Sequence, residues 1–428
     1  MPKFTLLPIL TALLAAISPA LVWGSGPARG TEADPVTRLQ TKLASGEVTL
    51  EFDNRFGYLP ALLRTLDIPV SSQTLVFSKT SAQFRLISAA SPRALYFNDE
   101  VYVGWVRGGP FLEVSVADPN GAGIFFTFPQ DRQQKPRFTR DNGQCLQCHE
   151  SGRTLRIPGH LTRSVYPDGE GQPYFEAGSV DVDQTTPIEE RWGGWYVTGS
   201  PGGKSHRGNA TMPTLAAVKT FEGGSNATVE RLNGLFDVDG YLSPHSDIVA
   251  HLVLTHQTQM HNHIALARTE AQQAIAYRDD MKKLFGDVSE ETMASVKRRI
   301  EGPAESLLRH LLFVGEAELA GHVAGTSDFA EEFSGRGPRD GKGRSLREFD
   351  LKKRIFRYPC SYLIYSGDFQ NLPGETKAYV YGRLWEVLSG RDQRSEFAHL
   401  SSQDRTAIRE ILHDTMPEAV EFWSRLKN

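Results

Sequence analysis

The sequence predicts an α+β fold, and three patterns along the chain predict it. Residues 37–143 alternate apolar and polar side chains in short runs, which is the two-residue period of a strand with one buried face. Residues 144–226 are rich in glycine and proline and show little periodicity, the signature of long loops. From 247 to 428 apolar residues recur every three to four positions, as on the buried face of a helix.

Taken in order, residues 1–24 carry one side-chain charge at Lys3, an apolar run over 4–23 and small residues at Gly24, Ser25 and Gly26. That order is a secretory signal, cut after Ala20 or near Gly24, and the run is also long enough to stay as an N-terminal anchor. No later segment reaches the ~18 uninterrupted apolar residues of a spanning helix. Strands are expected at 74–78, 101–106 and 111–116, and the turn Asp118-Pro119-Asn120-Gly121 pairs the last of these with 123–128 as a hairpin. Helices are expected over 248–279, 290–300, 304–319, 376–388 and 407–426. The chain therefore divides into a signal (1–24), a β-rich part (37–143), a loop-rich part (144–226) and a helical part (247–428).

A hydrophobic share of 39% over 428 residues is enough for real cores and argues against disorder. The net charge of -4, from 47 basic and 51 acidic residues, provides no global basic field for nucleic acid. Three cysteines are too few for a disulfide-stapled scaffold.

Two of the three stand in Gln144-Cys145-Leu146-Gln147-Cys148-His149-Glu150, which contains C-x-x-C-H. This is the attachment signature of c-type haem. Thiols at this spacing reach both vinyl groups of one porphyrin, and the imidazole next to the second thiol comes beneath the iron as an axial ligand. Cys145, Cys148 and His149 are thus the expected cofactor-binding residues for one covalent haem c, with His149 on the metal. A thioredoxin-like pair, half of a zinc site and a structural disulfide are the competing explanations. The isolated Cys360 supplies no second pair for zinc, and a polar, basic loop at 130–140 stands where a thioredoxin motif has a strand.

For the sixth position on the iron the sequence offers His206 in the glycine-rich loop Gly202-Gly203-Lys204-Ser205-His206, then Met260, then His256, the last two four residues apart on one helix face. Met212 and His160 are weaker choices, His160 because it lies so close in sequence to His149. Each has an ordinary explanation as a loop or core residue. Arg132, Lys135, Arg137, Arg140, Arg153, Arg156 and Arg163 crowd the motif and can pair with haem carboxylates or form a solvated face for an acidic redox partner. Trp192 and Trp195 are expected to pack on the haem edge or in a core.

Beyond the motif, the chain resembles a group of large exported bacterial proteins with a single-haem cytochrome c domain. The stretches that carry the resemblance are 92–99, the motif, 191–209, 256–262 and 357–366, the last of which includes Cys360. The resemblance implies haem binding and electron transfer, names no substrate, and adds weight to His206 and to the helix of His256 and Met260.

The reading that follows is an exported, periplasmic c-type cytochrome that passes electrons to a periplasmic redox partner. Small soluble cytochromes need only about a hundred residues, so most of this chain has other work. That excess keeps two alternatives open: a haem-dependent, peroxidase-like oxidoreductase, and a haem sensor for a diatomic gas.

Overall fold

The structure is a computed structural model that describes residues 33–141, 143–223 and 227–426. The expected signal over 1–24 lies outside the described residues. The β-rich part begins with helices: α1 (Pro35–Ser45) and α2 (Leu59–Thr65) precede any strand. Their start signals are local. Asp34 caps α1 by accepting from the amides of Val36 and Thr37 at 2.9 Å each, with Pro35 in the first turn. Pro60 likewise opens α2.

The strands are β1 (Thr74–Val76), β2 (Arg93–Phe97), β3 (Val101–Trp105), β4 (Phe111–Ala117), β5 (Gly123–Pro129), β6 (Thr139–Arg140), β7 (Arg163–Ser164), β8 (Val180–Asp181), β9 (Trp195–Tyr196), β10 (Ser200–Pro201) and β11 (Val323–Ala324). Seven form an antiparallel sheet in the order β6-β5-β4-β3-β2-β1-β9. The expected hairpin is present: Ala117 pairs with Gly123 and Val116 with Ile124, and Asp118 closes the turn by accepting from the Asn120 amide at 3.0 Å.

Because side chains alternate, the two faces of this sheet have different partners. Leu112, Val114 and Val116 of β4 share a core with Val101, Val103 and Trp105 of β3 and with Leu59, Leu62 and Leu63 of α2. Each fully buried leucine contributes about 2 kcal/mol through removal of apolar surface from water. The other face carries Arg93, Phe97, Tyr102, Glu113, Ser115 and Phe125. Phe97 and Tyr102 join the large helical core, whereas Glu113 and Ser115 stay partly exposed.

The helical part is built on α5 (Ile248–Phe285), following the single-turn α3 (Leu146–His149) and α4 (Leu215–Val218). Every residue over 248–262 is buried, so this first stretch of α5 is a central rod rather than a surface helix. Asp247 caps it at the Val249 amide (2.8 Å) and also binds the amides of Thr326 and Ser327 (2.8 Å each). The two helical segments expected at 290–300 and 304–319 are one helix, α6 (Glu290–Leu311), which runs through Pro303. Gly302 has no Cβ to meet the proline ring, which removes one of the clashes that usually end a helix there. The helix stops at Leu312, and Phe313 turns left-handed (φ 56), so 312–319 is not helical. After α7 (Phe329–Gly335), α8 (Gly367–Gln370) and α9 (Gly374–Leu388), the segment expected at 407–426 is two helices, α10 (Ser402–Thr415) and α11 (Pro417–Leu426). Pro417 forces Met416 out of the helical region and makes the break.

Candidate functional site

The C-x-x-C-H segment begins at an aspartate. Asp141 accepts from the amides of Gly143 and Cys145 at 2.9 Å each, and Gly143 adopts φ 111, a conformation that favours glycine. These bonds start the single turn of α3, in which the Cys148 and His149 amides donate to the carbonyl of Cys145 at 3.1 and 3.0 Å. One helical turn brings residues three and four apart to the same side, so Cys145, Cys148 and His149 converge. Both thiols are free; Cys148 is exposed and Cys145 half-buried. Burial, reinforced by the Asp141 carboxylate, pushes the Cys145 thiol up to about 12, so it stays protonated.

His149 is fixed by a carbonyl ten residues on. Its Nδ1 lies 2.9 Å from the oxygen of Gly159, and since a carbonyl can only accept, Nδ1 carries the proton. Gly159 returns a bond from its own amide to the His149 carbonyl at 2.8 Å. Nε2 has no hydrogen-bond partner among the described residues. Burial holds the imidazole below its usual range and therefore neutral, the form that binds metal. The ring packs on Phe125 of β5, centroids 4.7 Å apart. The chain returns to Gly159 through Leu155 and Arg156, both left-handed (φ 58 and 62), over a buried Thr154 whose hydroxyl donates to the Ile157 carbonyl at 2.9 Å.

The sheet supplies charge beside this turn. Arg93 pairs with Glu113 at 2.6 Å, and Glu113 also accepts from Ser81 (2.8 Å) and Gln83 (3.1 Å). The Arg93 guanidinium lies over Gly104, where a Cβ would sit 2.5 Å from it. Both members of the pair act electrostatically on Cys145 and His149. On the Cys148 side stands Arg163, half-buried and hydrogen-bonded to Ser179 at 3.0 Å. The Nε atoms of Arg93 and Arg163 are buried without a hydrogen-bond partner among the described residues, and that of Arg163 lies 3.9 Å from the Asp181 carboxylate. Of the other cations expected here, Arg132, Lys135, Arg137, Arg140, Arg153 and Arg156 are exposed, and Arg153 pairs with Asp181 at 2.6 Å.

The side chains expected on the far side of the iron are occupied elsewhere. His206 is buried, with Nε2 2.9 Å from the Ala227 carbonyl and Nδ1 accepting from the Gly208 amide at 3.0 Å; burial pushes it down to about 4. His256 is saturated by Gln184 (2.6 Å) and Ser361 (2.7 Å) and stacks on Phe313. Met260 and Met212 are buried apolar residues, Met260 within the helical core. No hydrogen bond or ring contact among the described residues joins His206 or His256 to the motif. His160 alone is brought near. It shares Phe125 with His149 (5.8 Å), stacks on Tyr102 (4.4 Å) and bonds Ser115 (3.1 Å), which places it on the sheet side of the motif. Trp192 and Trp195 pack on His251 in the core, and Cys360 is a fully buried thiol.

Compared with family models, curated proteins and solved structures, the chain has no match. The site therefore rests on its own geometry. Among the described residues no three His, Cys, Asp or Glu side chains are arranged to hold a metal ion. No helix among them is long and apolar enough to cross a membrane. Sequence reasoning missed Arg93 and Glu113, which reach the motif from the sheet, Gly159, which holds His149 from ten residues on, and Asn262, which holds the neighbouring His160 backbone from α5. Asp141 had a local signal: an aspartate two residues before a glycine is a common turn-former.

Proposed function

We propose that the chain is an exported c-type cytochrome that holds one haem through Cys145, Cys148 and His149 and transfers electrons to a redox partner outside the cytoplasm. The observation that carries this reading is the state of His149: Nδ1–H is held by Gly159, Nε2 has no hydrogen-bond partner among the described residues, and two free thiols share its helical turn. Haem iron would supply the one-electron chemistry. The protein would hold it by His149 Nε2, pair its propionates with the Arg93 and Arg163 guanidinium groups, and tune it through burial and the Glu113 carboxylate.

One observation favours a second reading, a haem-dependent oxidoreductase. His206, His256 and Met260 all have their polar or packing needs met away from the motif, so none of the three stands ready as a second ligand for an iron held by His149. The experiment is a visible spectrum, oxidised and reduced, with and without CO, of the full chain matured in a host that attaches haem c. Low-spin bands insensitive to CO support the electron carrier, whereas high-spin bands that shift with CO support the oxidoreductase. A wild-type chain without haem that survives denaturation, indistinguishable from the Cys145→Ala/Cys148→Ala variant, overturns both.

A further inference from the structure

We propose that Asn262, on α5, is the positioning residue for His149 and through it sets the reduction potential of the haem; the effect on potential rests on the haem reading, the positioning does not. The segment Pro158-Gly159-His160 is gripped from two elements. From β5, the Gly123 amide donates to the Pro158 carbonyl at 2.8 Å. From α5, the Asn262 side chain binds both backbone groups of His160, its Oδ1 accepting from the amide at 2.9 Å and its Nδ2 donating to the carbonyl at 2.8 Å. Asn262 is buried and its Nδ2 also reaches Gln259 at 3.3 Å, so the amide is held in one orientation.

Gly159 is shaped to this grip. A Cβ there would stand 2.4 Å from Asn262 Oδ1 and 3.2 Å from the Cβ of Thr154. The missing side chain is the space the Asn262 amide uses. The result is that the carbonyl accepting from His149 Nδ1–H is anchored to the end of the buried stretch of α5, far along the chain.

An acceptor on Nδ1–H fixes the tautomer and makes Nε2 a stronger electron donor, which stabilises oxidised over reduced iron. Loss of the anchor weakens that donor. The potential then rises, while the thioethers and the iron–His149 bond remain.

The test uses the full chain and two readouts. In haem-loaded protein, Asn262→Ala is expected to raise the midpoint potential at unchanged haem content. Gly159→Ala approaches the same bond without altering α5, and should raise it as well. The double variant relieves the clash and regains the stability lost in Gly159→Ala, yet keeps the raised potential; a purely structural role would return both together. In haem-free Cys145→Ala/Cys148→Ala protein, nitrogen NMR of His149 is expected to show the single Nδ1–H tautomer, and a mixture once Asn262→Ala is added. A full haem complement with unchanged potential in both single variants overturns the role in tuning. An unchanged tautomer overturns the positioning itself. Absence of haem in the wild type removes the haem reading and the tuning with it, and leaves the tautomer experiment to decide the positioning.

Discussion

His149 and Gly159 exchange two hydrogen bonds, Nδ1–H to carbonyl at 2.9 Å and amide to carbonyl at 2.8 Å, and the chain between them closes a tight loop. Closing it requires left-handed backbone at Leu155 and Arg156. A side chain in that conformation costs about 1–2 kcal/mol, and glycine avoids it at some entropic cost in the unfolded chain. Arg156 is exposed and its side chain is not part of the grip on His149. Arg156→Gly should therefore stabilise the protein by about 0.5 kcal/mol, with haem uptake unaltered. Denaturant unfolding measures this; a loss of stability would mean the loop is not strained.

Asp141 holds the first turn of the motif from outside it, through two backbone amides. Removal of a side-chain cap of this kind costs about 1 kcal/mol. Asp141→Ala should speed hydrogen exchange at the Gly143 and Cys145 amides by about fivefold, the equivalent of that energy, and leave amides of β2 to β4 unchanged. Uniform acceleration across the sheet would show a global effect instead.

The legibility of this molecule in its sequence follows the range of the interactions. The β4–β5 hairpin was readable because Asp118, Asn120 and Gly121 act within four residues, and α5 because its period runs for dozens. The breaks were harder. Pro303 reads as a stop and is not one, because what precedes it is glycine; α1 reads as alternation because Asp34 and Pro35, its start signals, lie ahead of the alternating run. At the site, the three motif residues were local and legible. Arg93, Glu113 and Asn262 come from β2, β4 and α5, and nothing in a linear pattern joins them to Cys145. The appeal of His206, His256 and Met260 as ligands came from residue type, a glycine-rich loop, helical spacing and a resemblance, none of which shows what a side chain touches. The hydrogen-bond partners of the two histidines, Ala227, Gln184 and Ser361, and the core that encloses Met260 are visible only once the chain is folded.

His261 and Asp368 form a buried pair at 2.6 Å that braces α5 against α8. Burial alone would depress His261, but the Asp368 carboxylate outweighs it and the imidazole is raised. Burial would likewise raise Asp368, but His261 and then Arg268 outweigh it and the carboxyl is lowered. The His261 contribution is full below its unfolded value of 6.5 and is lost as pH rises through its raised folded value. That of Asp368 is full above 3.8 and is lost as pH falls through its lowered folded value. The pair therefore stabilises most between 3.8 and 6.5. Asp368→Asn should cost about 3 kcal/mol within that window and flatten the decline above it. A variant whose stability falls with rising pH as the wild type does would show that His261 is not the group responsible.

The packing of His206, His256 and Met260 makes a prediction that runs against their residue types. If each is a structural side chain, replacing it changes stability and leaves the iron's surroundings alone. His256→Gln breaks bonds to Gln184 and Ser361 at a fully buried position, and should cost about 1–3 kcal/mol. Met260→Leu conserves volume in the helical core and should cost less than about 1.5 kcal/mol. His206→Gln loses the Ala227 bond at similar cost to His256→Gln. In all three the visible bands of the haem-loaded chain are expected to keep their positions and spin state. A low-spin spectrum that becomes high-spin in one variant alone would identify that residue as the sixth ligand. It would also mean that haem binding rearranges the fold around it, since the bonds now holding these side chains would have to be given up for one to reach the iron.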